Sequence, residues 1–228
     1  MNAPVSGQRP LFPLIRHLSA RLTPIFLQTP VSANQITTAS LGLGLAAAGL
    51  LTTPDPATDL AAAGLLLGAY VLDNCDGEVA RARGRASSFG RHYDTFVDWV
   101  VHTAFFVGLG VGVEARLGDD LWFWMGIIAA AGGTLNYALG RLFEYLDGKA
   151  AAGSRDEVRE GDSSAQRPTT TGQWLVFAFR ELARADFCFL VVALALPGWL
   201  WVLLPAGMVG AQAYWMTVCI KSARRNRA

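Results

Sequence analysis

The chain has 228 residues, 52% hydrophobic and 16% charged, with a formal net charge of +1. Soluble domains of this size carry about a quarter charged residues, so the composition disfavours an ordinary soluble enzyme and excludes a disordered chain. The near-zero charge excludes a generically basic nucleic-acid binder, and Cys75, Cys188 and Cys219, each in or beside an apolar run, read as small buried hydrophobes rather than a disulfide frame or a zinc site.

Residues 1–30 form the first segment. The opening ten are polar and Pro13 interrupts the start of the next stretch, so this is not a cleaved signal peptide. Over 14–27, Leu14, Leu18, Leu22, Ile25 and Phe26 recur at helical spacing with Arg16 and Arg21 between them, which predicts an amphipathic helix on the cytoplasmic membrane surface.

Six apolar stretches come after it: Ile36–Leu51, Leu60–Leu72, Trp99–Val113, Leu121–Ala138, Phe187–Leu196 and Trp199–Ile220. A spanning helix needs about 20 mostly apolar residues, and only the last stretch meets that alone. The others borrow polar residues at their ends, which a bundle tolerates where those residues face protein. The block 187–220 is too long for one span; Pro197-Gly198 is the expected break and Pro205 the competing one. With both termini cytoplasmic, Arg116 alone of the 19 basic residues falls on the far side, as the positive-inside rule requires. The expectation is an all-α, six-transmembrane-helix bundle over 31–222. A mobile cytoplasmic loop at about 148–171 and a basic tail at 223–228 complete it.

The chemistry concentrates between the second and third stretches. Asp73 and Asp76 are three residues apart, and Asp94 and Asp98 four, so on helices each pair shares a face. The helices are consecutive and antiparallel about a turn near 84–88, which brings all four carboxylates to the cytoplasmic rim. Like charges so placed raise one another's pKa, and a divalent cation relieves the repulsion. Oxygen ligands without His or Cys suit Mg²⁺, Mn²⁺ or Ca²⁺ rather than zinc, and four acids can hold two such ions, a recurrent device for displacement at phosphorus. Gly77 and Ala80 on the acid-bearing face, and Gly90 one turn before Asp94, leave room for a flat ligand, and Arg81 can pair with a phosphate oxygen.

The run Asp73-x2-Asp76-Gly77-x2-Ala80-Arg81-x8-Gly90-x3-Asp94-x3-Asp98 resembles, at every defined position, the signature of the CDP-alcohol phosphotransferases, integral membrane enzymes of phospholipid synthesis. The resemblance implies Asp73, Asp76 and Asp94 as metal ligands for Mg²⁺ or Mn²⁺. Asp98 would complete the site and act as general base toward the acceptor hydroxyl. Gly77, Ala80, Arg81 and Gly90 would shape the CDP pocket. Ala33-Asn34-Gln35-Ile36-Thr37 is similar to the family's opening of the first span, with Ala where Pro is common, and adds Asn34 and Thr37; Asn34 also suits a helix cap. The implied partners are a CDP-linked donor of CDP-diacylglycerol or CDP-inositol type, an acceptor alcohol, the lipid bilayer and a second copy of the chain through the third and fourth spans.

Around the motif, His102 lies one turn beyond Asp98, placed to orient it, to contact the acceptor, or simply to be buried and hydrogen-bonded. Arg141 and Arg184 are acceptor candidates that also suit positive-inside anchors. Two other functions share these features: a hydrolase cleaving the CDP-alcohol with water, and a transporter or cation channel. The acid cluster sits at one rim rather than mid-membrane, which weighs against the channel.

Overall fold

The computed structural model describes residues 13–151 and 186–225, and every regular element among them is helical. In chain order these are α1 (Ile15–Leu27), α2 (Ala33–Leu51), α3 (Pro56–Ala82), α4 (Ser88–Leu117), α5 (Leu121–Ala151), α6 (Phe187–Ala195), a 3₁₀ turn (Leu200–Val202) and α7 (Leu203–Arg225). Residues 1–12, most of the expected 148–171 loop and the last three residues of the tail lie outside the described residues.

Local chemistry sets the helix ends. Ser32 and Gln35 form a reciprocal capping box at the start of α2. Pro56 opens α3 where its missing N–H costs no helical bond, and the Asp55 side chain accepts from Ala57 N. Gly118, at φ 70°, closes α4 in the left-handed region. Near the C-terminus, Gly198 takes φ 75° and the Trp199 N–H reaches back to Leu194 O at 2.8 Å, so the break falls at Pro197-Gly198. Pro205, the competing site, sits in the first turn of α7, where no intrahelical donor is needed.

Three expectations are corrected here. The stretch 199–220 is not one helix, because the 3₁₀ turn interrupts it before Leu203. Helix α5 continues to Ala151, so the first four residues of the expected loop are helical; Lys149, Ala150 and Ala151 are good helix formers. Among the described residues α4, rather than the last stretch, is the helix long and apolar enough by itself to cross a membrane. Helix α6, at 9 residues, rises only about 14 Å, under half of a bilayer's hydrocarbon thickness.

Helix α2 packs on α3 and α4, α4 on α5, α5 on α7, and both α1 and α6 on α3. Leu51, Leu66, Phe105, Leu109, Val113, Val191 and Leu204 form one buried cluster between them. Small residues set the α2–α4 distance: a Cβ on Gly108 would run into Ala48 O, and one on Gly112 into Leu51 O. On the far side of the bundle from the acids, Arg116 Nη2 meets Asp59 Oδ2 at 2.8 Å.

Helix α1 seats itself by its polar stripe. Its buried residues are Ile15, Ser19 and Thr23, four apart. Ser19 Oγ donates to Glu78 Oε1 at 2.8 Å and Thr23 Oγ1 donates to Glu78 Oε2. Leu22, Ile25 and Leu27 are left exposed on the other side. Both oxygens of the fully buried Asp186, at the head of α6, accept from the first backbone N–H groups of α1, Leu14 N at 2.8 Å and Ile15 N at 2.9 Å.

Candidate active site

Helices α3 and α4 build the site at the turn that joins them. Asp73, Asp76, Gly77 and Ala80 fall at i, i+3, i+4 and i+7 on α3, one face. The turn reverses the chain tightly: Gly84 is left-handed at φ 62°, and Arg85 N bonds Ala80 O at 2.9 Å in the 6→1 pattern of a Schellman end. Ser87 then caps α4 by accepting from Gly90 N at 3.0 Å. A Cβ on Gly90 would stand 3.2 Å from Ser87 Oγ and 3.5 Å from Asn34 Oδ1, so this glycine lets the cap form and α2 approach together.

The result is an acid triangle beside a cavity. Asp73, Asp76 and Asp94 each present a carboxylate oxygen, all within 4.8 Å of one another. These acids lie beyond Leu72 and before Trp99, outside the apolar stretches of their helices. Burial pushes the Asp76 carboxyl up to about 7; the Thr37 hydroxyl opposes this shift, and the charge of Asp94 adds to it. Burial, then the charges of Asp98, Asp94 and Asp76, holds Asp73 well above the usual carboxylate range. Asp73 Oδ1 is buried with no hydrogen-bond partner. A cluster of hard oxygen donors that repel one another, with one orphaned buried oxygen, fits a divalent cation such as Mg²⁺ or Mn²⁺.

A cavity of about 470 Å³ opens next to the triangle. Its walls include Asn34 and Thr37 from α2, Asp76, Gly77, Ala80 and Arg81 from α3, and Gly90 and Asp94 from α4. The structure therefore gathers all six residues expected for the nucleotide around one space with two of the acids. Thr37 Oγ1 donates to Asp76 Oδ2. Ser32 takes the cap of α2, which leaves the Asn34 side chain to the cavity. Arg81 folds over Gly77: a Cβ there would meet its Nη1 at 3.1 Å.

Asp98, on α4, stands one turn beyond Asp94, outside the triangle and exposed. His102 does not bond its carboxylate. Its Nδ1 lies 2.8 Å from the Asp98 backbone carbonyl, which only accepts, so Nδ1 carries a hydrogen, and Nε2 lies within hydrogen-bond distance of Tyr70 OH at 2.7 Å. Arg141 is paired with Glu144 on the outer part of α5 and does not line the cavity. Arg184 lies outside the described residues.

Sequence reasoning missed Glu78, Arg83 and Asp186, whose partners are 52 to 172 positions away. The only signal was a charge beside the motif or at the head of an apolar run. Arg83 turns away from the acids and donates to the carbonyls of Phe26, Thr29 and Val31.

The family profile described as CDP-alcohol phosphatidyltransferase matches residues 30–199. Two curated proteins named "Bifunctional IPC transferase and DIPP synthase" are similar. That of Thermococcus kodakarensis is 31% identical over 54% of this chain and 26% of its own length. That of Rubrobacter xylanophilus is 37% identical over 40% of this chain and 20% of its own. The chain thus matches about a quarter or less of these relatives. In fold it resembles a crystal structure of Mycobacterium tuberculosis phosphatidylinositol phosphate synthase with CDP-DAG bound, with a TM-score of 0.53 at 19% identity, covering 89% of this chain and 94% of that one.

Proposed function

The chain belongs to the CDP-alcohol phosphatidyltransferase family, and from that premise we propose that it transfers a phosphatidyl or phospho-alcohol group from a CDP-linked donor to an acceptor alcohol and releases CMP. One observation carries this reading. The cavity beside the acid triangle is walled by Asn34, Thr37, Gly77, Ala80, Arg81 and Gly90 together with Asp76 and Asp94. A space bounded by backbone and small side chains, with an arginine and a cation-binding acid pair at its edge, suits a nucleotide and its pyrophosphate.

Asp73, Asp76 and Asp94 would hold the divalent metal, with Asp98 beside them completing the site. Bound there, Mg²⁺ or Mn²⁺ supplies neutralisation of pyrophosphate charge and of the departing CMP. Gly77 and Ala80 let the donor approach the α3 backbone, and Arg81 pairs with a phosphate oxygen. The acceptor hydroxyl has a pKa far above 7, so its proton must leave as it attacks. Asp98 is exposed next to the triangle and takes that proton. The acceptor oxygen bonds to the phosphorus that carries the alcohol, the bond from that phosphorus to CMP breaks, and CMP leaves with the electron pair. Direct transfer requires no covalent enzyme intermediate.

The bundle is read as a multi-pass membrane protein, five long helices and the short α6 making the six apolar segments expected, with its site and both termini cytoplasmic, and α1 lying on that surface with Leu22 and Ile25 toward lipid. Exposed Trp124, Trp199 and Trp201 cluster at the end away from the acids, and the Trp122 and Trp201 rings sit 5.7 Å apart, which suits the far interface of a bilayer. A second copy would pair through α4 and α5; exposed Leu121, Trp124, Ile128, Leu135, Leu142 and Tyr145 recur along α5 at the spacing of a helix seam.

The test is CMP release by purified protein with Mg²⁺ or Mn²⁺. The donors are CDP-diacylglycerol and CDP-inositol, each with and without a panel of acceptor alcohols. Metal-dependent release that requires one acceptor is expected. Release without acceptor would make the protein a hydrolase, and absence of both release and CDP binding would overturn the reading.

A further inference from the structure

Arg81, Arg83 and Arg85 alternate through the end of α3 and the turn that follows it, but they do different work. Arg81 and Arg85 line the cavity. Arg83 lies between them and turns to the other side, where its guanidinium donates to one backbone carbonyl in the last turn of α1 and two in the α1–α2 connection. Nη2 reaches Phe26 O at 2.8 Å and Thr29 O at 2.7 Å, and Nη1 reaches Val31 O at 2.5 Å. The planar fork sends these bonds from two nitrogens held apart in a fixed geometry, whereas a lysine ammonium offers its donors from a single point on a flexible stem.

The connection so held leads directly into the cavity wall. Val31 precedes the cap Ser32, and Ala33, Asn34 and Thr37 of the next turn line the space opposite Gly77, Ala80 and Arg81. The cavity thus has one wall from α3 and one from α2, and Arg83 ties the end of the first to the approach of the second. We propose that Arg83 is a positioning residue for the donor nucleotide, fixing where Asn34 stands across the cavity from Arg81. The inference rests on reading the cavity as the CDP site. It assigns Arg83 to neither the metal nor the transferred group, because it faces away from both.

The consequence falls on donor binding. In the full chain in lipid nanodiscs with Mg²⁺, Arg83→Met should weaken CDP binding and raise the donor KM by about tenfold, while kcat at saturating donor stays within about twofold. Arg83→Lys, which keeps the charge but places every donor on one nitrogen, should fall between. Because Arg83 acts through Asn34, adding Asn34→Ala to Arg83→Met should cost less than the product of the two single effects. Wild-type CDP affinity in Arg83→Met, a loss confined to kcat, or fully multiplicative effects with Asn34→Ala would each overturn the inference. So would unfolding of both Arg83 variants, which would make this residue a general stabiliser. A wild-type protein that binds no CDP would instead overturn the nucleotide reading on which the inference stands.

Discussion

Thr37 on α2 donates its hydroxyl hydrogen to Oδ2 of Asp76 on α3, joining a cavity wall to a member of the acid triangle. Both residues are buried, with Thr37 3% and Asp76 5% exposed, so the bond is largely shielded from bulk water. Thr37→Val keeps the shape and removes the donor. It should cost about 1–3 kcal/mol of stability, the usual penalty for stranding a buried polar partner. A denaturation series on the two proteins checks this, and an unchanged midpoint would mean that Asp76 finds another donor.

Asp98 and the triangle acids should separate by phenotype. Asp98→Asn should lower kcat by about 10²–10⁴-fold, the range expected for loss of a general base, with CDP binding and fold kept. Asp73→Asn and Asp94→Asn should instead raise the Mg²⁺ concentration needed for half-activity. Titrating metal against CMP release in the three variants reads this difference. Wild-type turnover in Asp98→Asn would remove its assignment as base.

Metal and pH should be linked through Asp76. Its carboxyl is raised from an ordinary 3.8 to about 7, first by burial. In metal-free protein the folded state therefore holds a proton that the unfolded state gives up. The contribution is fully present below about 3.8 and is lost as pH rises through about 7. A bound cation replaces that proton, so Mg²⁺ should raise the melting temperature more at pH 8 than at pH 5.5. Melting curves at the two pH values, with Mg²⁺ and with chelator, test the sign.

Glycines on the helix faces should not be equivalent. Gly112→Ala drives a Cβ into Leu51 O and should destabilise by at least about 1–3 kcal/mol, as overpacking does. Gly49 on α2 has nothing within 4 Å of its Cβ position. Gly49→Ala should be neutral or stabilising by up to about 1 kcal/mol through helix propensity. Equal melting temperatures for the two variants would mean that α2 and α4 are not held at this distance.

What the sequence determined by itself is local. The three- and four-residue spacings of Asp73, Asp76, Asp94 and Asp98 put each pair on one helix face, and a short turn between antiparallel helices leaves the triangle little other place to form. The break at Pro197-Gly198 was legible for the same reason, since it comes from backbone preferences of neighbouring residues. What only the tertiary structure decided are the ties that cross the bundle. Leu18, Leu22 and Ile25 marked α1 as amphipathic, yet its buried stripe carries Ser19 and Thr23 beside Ile15, because Glu78 offers the two hydroxyls a carboxylate once α1 crosses α3. Asp186 serves the head of α1 rather than its own helix. Arg83 holds the chain more than 50 positions away. A hydrogen bond is specific to direction and distance, and no sequence period encodes which helix a polar side chain will find opposite it; the crossing of the helices sets that.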